Sequence, residues 1–427
     1  MSSPRAHIDL QTRLEEVPLF DDSACLHGST LSARGLHDLL SDSVMVSALR
    51  SAGAPRPRRV GDDREQSKSW VESVVPILSR IHGTIAAWNL RTLLSDLYDW
   101  EEPLTTSNWL ELDDLIGQRS RDPDWPRTVL QRARIHRLAT PLHLRGLGQA
   151  DDLFTYTLRW AEFARARAGE FDTAVYELER TWGREPEGPC PRESEVRPPT
   201  YRVIRSLDDV HAALDHFVGS VLQSRATVLR LEVSNPLAST IPTTAEMTAA
   251  LARRESAGVH ERDVFTAYVL NSLFDALASR GNELAIQIRL GMEAVPSMAS
   301  WTRRHPHLRF HAQVTDAASN SALCALAPEV PNLNLAGITP PLIHPGCLQS
   351  MLAERFDLLP TARFSAFGSE AACVEWAHAR AVFVRNEQGR FLEQRIQQGQ
   401  YDIDQALTLA REVLFESPQA RSRGIAD

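Results

Sequence analysis

Arg289 and Glu370 are side chains whose chemistry could act on a small polar molecule if the fold brought them together. A guanidinium offers a planar fork of donors that matches a carboxylate bidentately. A glutamate brought beside it by the fold would supply a general acid or base. Residues i and i+2 of a strand point the same way, so Gln287 goes with Arg289, and Arg230, Glu232 and Ser234 share a face. The same alternation groups Asp21, Ser23 and Cys25 at the end of an apolar run. Cys25 is a nucleophile if a cation lowers its pKa, and His27 lies two residues on. Cys25-x-His27 together with Glu370 also makes a conceivable metal half-site. Gly28 argues that the strand stops before His27, which favours an inert core cysteine.

Eight short apolar runs carry these residues: Val17 to Cys25, Ile135 to Thr140, Phe154 to Leu158, Thr227 to Val233, Leu284 to Leu290, Leu308 to Val314, Leu333 to Ile338 and Ala362 to Phe367. From the second onward they alternate with amphipathic helical segments, the layout of parallel βα units. In Val264 to Gly281 the residues Val269, Leu270, Leu273, Phe274 and Leu277 fall on one helical face, and Gly281 ends it. Residues 32–53 read as a helix stopped by Gly53, and Asp402 stands at capping-box spacing from Gln405. His344 follows the seventh run and is a further candidate for the mouth of the site. His305, His307 and His311 lie at the start of the sixth run, where packing is the commoner role.

The first and second runs are separated by a long, nearly all-helical stretch rich in tryptophan. The expected organisation is an α/β chain whose (β/α)8 barrel comprises residues 1–60 and 134–427, with an all-helical insertion at 61–133. Residues 183–200 hold five prolines in eighteen positions and are expected to form an irregular excursion, either a plain loop or a contact arm.

Of the 427 residues, 43% are hydrophobic and 24% charged, ordinary values for a globular protein with a sizeable core. The net charge of −9 disfavours nucleic acid, and no apolar stretch is long enough for a membrane helix. Five scattered cysteines without a C-x-x-C pair fit reduced thiols and a cytoplasmic location.

Several segments carry a family resemblance: VPLFDDSACL, DSVMVSALRSAG, the helical stretch from Trp88 to Ile135, LAIQIRLG, LRFHAQV and FGSEAACVEWAHARAVF. Through them the chain resembles the amidohydrolase superfamily, in its uronate isomerase and glucuronate isomerase-like branch. The resemblance implies a TIM barrel with a divalent metal at the C-terminal mouth. It implies ligands as His-x-His after strand 1, histidines after strands 5 and 6, and an aspartate after strand 8. The matching positions here are Ser23 and Cys25, Arg289, Val314 and Glu370. Asp42 and Arg50 match two further conserved places of that branch, and Arg50 is thereby a candidate for substrate binding.

A metal needs three or four lone-pair donors, and only Cys25 and Glu370 of the matching set could supply one. An arginine beside the ion is worse than neutral, so Arg289 reads as a replacement for the metal's charge. No cofactor and no metal are therefore expected. The expected cavity holds Asp21, Ser23, Cys25, Arg230, Glu232, Gln287, Arg289 and Glu370, with Arg289 and Glu370 either a filling ion pair or a catalytic one. Three functions stay open. The first is a metal-free pseudoenzyme that binds or scaffolds, associating with itself or with a metal-bearing homologue. The second is a metal-independent isomerase, hydrolase or biosynthetic enzyme acting on a small carboxylate. The third is a metalloenzyme with rearranged ligands. A shift that turned His311 or Gln313 rather than Val314 into the mouth would make the cavity more polar.

Overall fold

The structure is a computed structural model that describes residues 4–26, 31–57, 64–141, 153–159, 175, 178–179, 182, 202–224, 226–233, 241–281, 284–339, 342 and 344–422. The proline-rich segment 183–200, His27, Gly28 and Ser234 lie outside the described residues.

Seven parallel strands form one sheet in chain order: β1 (Leu19–Asp21), β2 (Ile135–Pro141), β3 (Phe154–Arg159), β4 (Val228–Val233), β5 (Ala285–Leu290), β6 (Arg309–Val314) and β7 (Leu333–Leu335). Their composition explains their orientation. In β5 the branched residues Ile286, Ile288 and Leu290 are fully buried on one face, where helices cover them, while Gln287 and Arg289 alternate onto the barrel axis. β6 repeats this with Phe310, Ala312 and Val314 against His311 and Gln313, in a register that pairs Gln287 with His311 and Arg289 with Gln313. Layers of polar side chains therefore stack along the axis of a (β/α)8 TIM barrel.

The eighth stave is not a ladder strand. Thr361–Arg363 forms a 3-10 turn, after which Phe364 bridges Leu335 and Ser365 N–H donates to the Leu335 carbonyl at 3.0 Å. On its other side Ser369 N–H donates to Asp21 at 2.8 Å, and Cys25 N–H to the Ala371 carbonyl at 3.0 Å. The segment thus fills the gap between β7 and β1. Guanidinium groups satisfy carbonyls that a regular strand would pair. Arg355 donates to the carbonyls of Ala336 and Ser365, both at 2.7 Å, and Arg380 donates to that of Ser369 at 2.8 Å. Arg421 donates to the Ala362 carbonyl at 2.6 Å and to the Ser365 hydroxyl. The approach is so close that a Cβ on Gly337 would stand 2.2 Å from the Phe367 carbonyl carbon.

Between β1 and β2 the described chain is helical throughout, without strands. Residues expected as one helix over 32–53 form two, Leu36–Leu40 and Ser43–Ser51, because Asp42 caps the second by accepting from Val44 N–H at 3.0 Å. Gly53 ends the pair at φ +94°. The inserted helices dock on the long Val374–Gln397 helix, whose Glu375 is fully buried and accepts from Ala33 N–H (3.1 Å), Trp125 Nε1 (3.0 Å) and Tyr98 hydroxyl (3.3 Å). Trp88 meets Phe383 edge-on at 5.2 Å in the same interface. Being covered on both faces, this helix is buried along most of its length.

The five apolar residues expected on one face of the Val259–Ser279 helix are all buried, and Gly281 takes φ +59° after its end. The capping box at Asp402 and Gln405 is present. No disulfide forms among the four described cysteines, Cys25, Cys324, Cys347 and Cys373. Among the described residues no helix is long and apolar enough to cross a membrane.

Asp21 is the main side-chain latch between stave eight and β1, since its carboxylate accepts from the backbone and hydroxyl of Ser369 and from Ser23 N–H. Asp21→Ala strands those buried donors, and a loss of about 2–3 kcal/mol is expected in urea denaturation.

Candidate functional site

At the C-terminal mouth of the barrel the structure brings together Cys25, Arg230, Glu232, Arg289, Gln313 and Glu370 around a small pocket that opens to solvent, with room for about one or two water molecules. Arg230 on β4 is held from beneath by the carbonyls of Ala24 (3.1 Å) and Ser23 (3.4 Å), with Cys25 Sγ 3.8 Å from its Nη1. Burial opposes its charge, yet Cys25, Glu370 and Asp22 hold its pKa above the ordinary arginine value. Arg289 on β5 donates to Glu370 Oε1 at 2.5 Å, and Gln313 on β6 donates to the same oxygen at 3.2 Å.

Glu370 sits in the left-handed region at φ +47°. That conformation costs a β-carbon-bearing residue about 1–2 kcal/mol, and here it turns the carboxylate back over the mouth toward Arg289. Burial raises the Glu370 pKa, and the guanidiniums of Arg289, Arg230 and Arg380 counter only part of the rise. The pair is partly shielded, with side-chain exposures of 26% for Arg289 and 11% for Glu370. It is therefore stronger than a solvated surface pair and weaker than a fully enclosed one.

Other expected site residues lie elsewhere. Asp21 does not face the mouth. β1 ends at Asp21, and the chain turns at Asp22 and Ser23, so alternation does not carry through to Cys25. Asp21 latches stave eight, Ser23 is buried against Gly368, and Cys25 alone of the three lines the mouth. Gln287 lies one layer below the mouth and donates to the Asp22 carbonyl at 3.2 Å. Arg50 is exposed on the Ser43–Ser51 helix, and Asp42 pairs with Arg380 at 2.6 Å instead. His344 is exposed and caps the Pro345–Leu358 helix, accepting from Cys347 N–H at 3.5 Å.

Strand 6 presents Gln313 to the mouth, not Val314, which pairs across the ladder with outward-facing Leu290. Sequence reasoning placed neither Asp22 nor Arg421 on the barrel axis, and it read His311 as packing while leaving open a shift of strand 6 that turns His311 or Gln313 inward. Alternation along β6 itself puts His311 and Gln313 on one face. Asp22 lies beyond the end of β1 and carries no periodic signal.

These donors do not fit a divalent metal. Among the described residues no three His, Cys, Asp or Glu side chains come together as a ligand group. Glu370 Oε1 is already engaged by two donors, and the Cys25 sulfur faces Arg230. A divalent ion on Glu370 would stand roughly 4 Å from the Arg289 guanidinium, a repulsion of about 8 kcal/mol at an effective dielectric near 20. What the arrangement can do is bind and orient: two guanidiniums, two carboxylates and an amide make a polar mouth of mixed sign. The Cys25-x-His27 half-site includes a residue outside the described ones.

Three solved structures align over nearly the whole chain. Uronate isomerase from Thermotoga maritima matches 98% of this chain and 97% of its own at TM-score 0.72 and 13% identity. Glucuronate isomerase from Caulobacter crescentus matches 99% and 95% at TM-score 0.74 and 16% identity. Uronate isomerase from Bacillus halodurans C-125 matches 99% and 97% at TM-score 0.68 and 14% identity. No family model and no curated protein sequence matches the chain. At this identity the likeness establishes the fold, so the chain has the fold of the uronate isomerases.

Below the mouth, burial lifts the Asp22 pKa to about 6, countered by the Gly337 N–H it accepts. A carboxyl whose folded pKa exceeds its unfolded value binds more protons when folded, so its effect on stability becomes unfavourable as pH rises from about 4 through about 6. Asp22→Asn removes that dependence. Relative to the parent, the variant is expected to gain stability between pH 4 and pH 8 in thermal unfolding across that range.

Proposed function

We propose that this chain is a metal-site-degenerate member of the uronate-isomerase fold, a pseudoenzyme that acts as a binding or scaffolding subunit rather than a metal catalyst. Its partner is a second copy or a metal-bearing homologue. The observation that supports this reading is the Arg289–Glu370 pair, which lies where the resemblance expects a metal ligand at each position. Gln313 ties the same carboxylate from β6, so the mouth is cross-linked by its own side chains.

One observation favours the second reading, a metal-independent enzyme on a small carboxylate. Glu370 is held in a strained conformation with a raised pKa beside a guanidinium, as a general acid beside a carboxylate anchor would be. The two readings separate on the response to substitution. If the pair is structural, Arg289→Ala and Glu370→Ala each lower stability by about 1–3 kcal/mol, with a coupling of about 1–2 kcal/mol in the double-mutant cycle. A catalytic pair would instead lose turnover on a carboxylate substrate with little change in stability.

Metal analysis after supplementation with zinc or manganese is expected to give well under one equivalent per chain. A full equivalent removes both metal-free readings. Light scattering of the purified chain, alone and mixed with a metal-bearing homologue, is expected to show association. A monomer that turns over a carboxylate replaces the scaffold reading with the enzymatic one.

A further inference from the structure

Under the Arg289–Glu370 layer the barrel holds a second chamber, partly open like the mouth, lined by Phe20, Asp22, Gln287, His311, Ser365 and Arg421 among others. Arg421 belongs to the Ser417–Ser422 helix, which contributes to the chamber wall opposite the strands. Three polar atoms in that lining, Asp22 Oδ1, Gln287 Oε1 and His311 Nε2, are buried without a protein hydrogen-bond partner. Gln287 and His311 are only 3% and 8% exposed. They are cross-strand neighbours, and Gln287 Nε2 donates to the Asp22 carbonyl at 3.2 Å, which draws the three residues together.

A buried polar atom left unsatisfied costs about 1–3 kcal/mol. Three in one chamber would consume much of the 5–15 kcal/mol by which folded proteins are stable. Their chemistry is complementary to a single guest. A carboxylate oxygen and an amide oxygen accept, and neutral imidazole protonated at Nε2 donates. The guest must therefore donate twice and accept once. Arg421 and Arg309 lie close enough to His311 to oppose a cation there. The Asp22 carboxylate opposes an anion. The free space is of the order of one or two water molecules.

We propose that this chamber is a binding site for an ordered water on the barrel axis, held by Asp22 Oδ1, Gln287 Oε1 and His311 Nε2. The site is independent of the function assigned to the mouth. Through Gln287 and the Asp22 backbone, the water braces β1 against β5 and β6, directly beneath the layer that carries Arg289.

The test is a crystal structure of the full chain at a resolution that orders water, with His311→Phe as its counterpart. One water peak within hydrogen-bond distance of at least two of the three atoms is expected, and its loss in the variant. The variant is also expected to melt about 2–4 °C lower, because removing the imidazole donor leaves the guest under-bonded. A chamber without density, or one holding a buffer ion, overturns the proposal. A variant at least as stable as the parent overturns it too, since a dry chamber gains by losing an unsatisfied nitrogen. If the variant fails to fold, the density in the parent protein decides alone.

Discussion

The barrel depends on how its eighth stave is held. A parallel barrel closes when each strand satisfies its neighbours' backbone groups, and residues 364–371 do so with few ladder bonds. Buried guanidiniums take over. Arg355, Arg380 and Arg421 reach in from three different helices to bind carbonyls at Ser365, Ser369 and Ala362, while Asp21 receives the Ser369 donors from β1. Each arginine carries several donors in a fixed plane, so one side chain can bind two carbonyls that face different directions. This arrangement leaves the backbone free to turn at Glu370, and that turn brings a carboxylate over the mouth.

The polar interior follows from the same economy of groups. Strands β4 to β6 place apolar residues toward the helices and polar ones toward the axis, so the barrel core is a stack of hydrogen-bonding layers. In the upper layer, opposite charges pair, and among the described residues no group of three ligands for a metal comes together there. In the lower layer, an aspartate, an amide and an imidazole line one small cavity. The helical insertion is tied to this barrel through Glu375, whose carboxylate gathers donors from the loop after β1 and from two inserted helices. Burying that carboxyl group is tolerable because three donors meet it.

Much of this was legible in the order of residues. Runs such as Ala-Ile-Gln-Ile-Arg-Leu announce strands by alternation, and the run's own period already joins Gln287 to Arg289. Arg289 and Glu370, distant in sequence, were brought together by the family resemblance, and pairing was then the expected outcome because an isolated buried charge is untenable. The eighth run was misleading as a strand, for its partners are side chains drawn from distant helices and no local pattern encodes them. At β1, the period of two applied only as far as Asp21. The turn that follows swaps the roles of Asp21 and Asp22, sending the first to the latch and the second to the axis.

The chain alone determined which residue types could line a barrel and which of them could pair or donate, because that chemistry is carried by each residue wherever it stands; that two guanidiniums and two glutamates belong near its mouth was what the family resemblance implied. Only the tertiary structure decided that Gln313 rather than Val314 completes the mouth, that Arg50 and His344 stay outside it, and that Asp22, Gln287 and His311 share a chamber. Those outcomes depend on strand register and on where a strand ends, and a shift of one residue exchanges inside for outside.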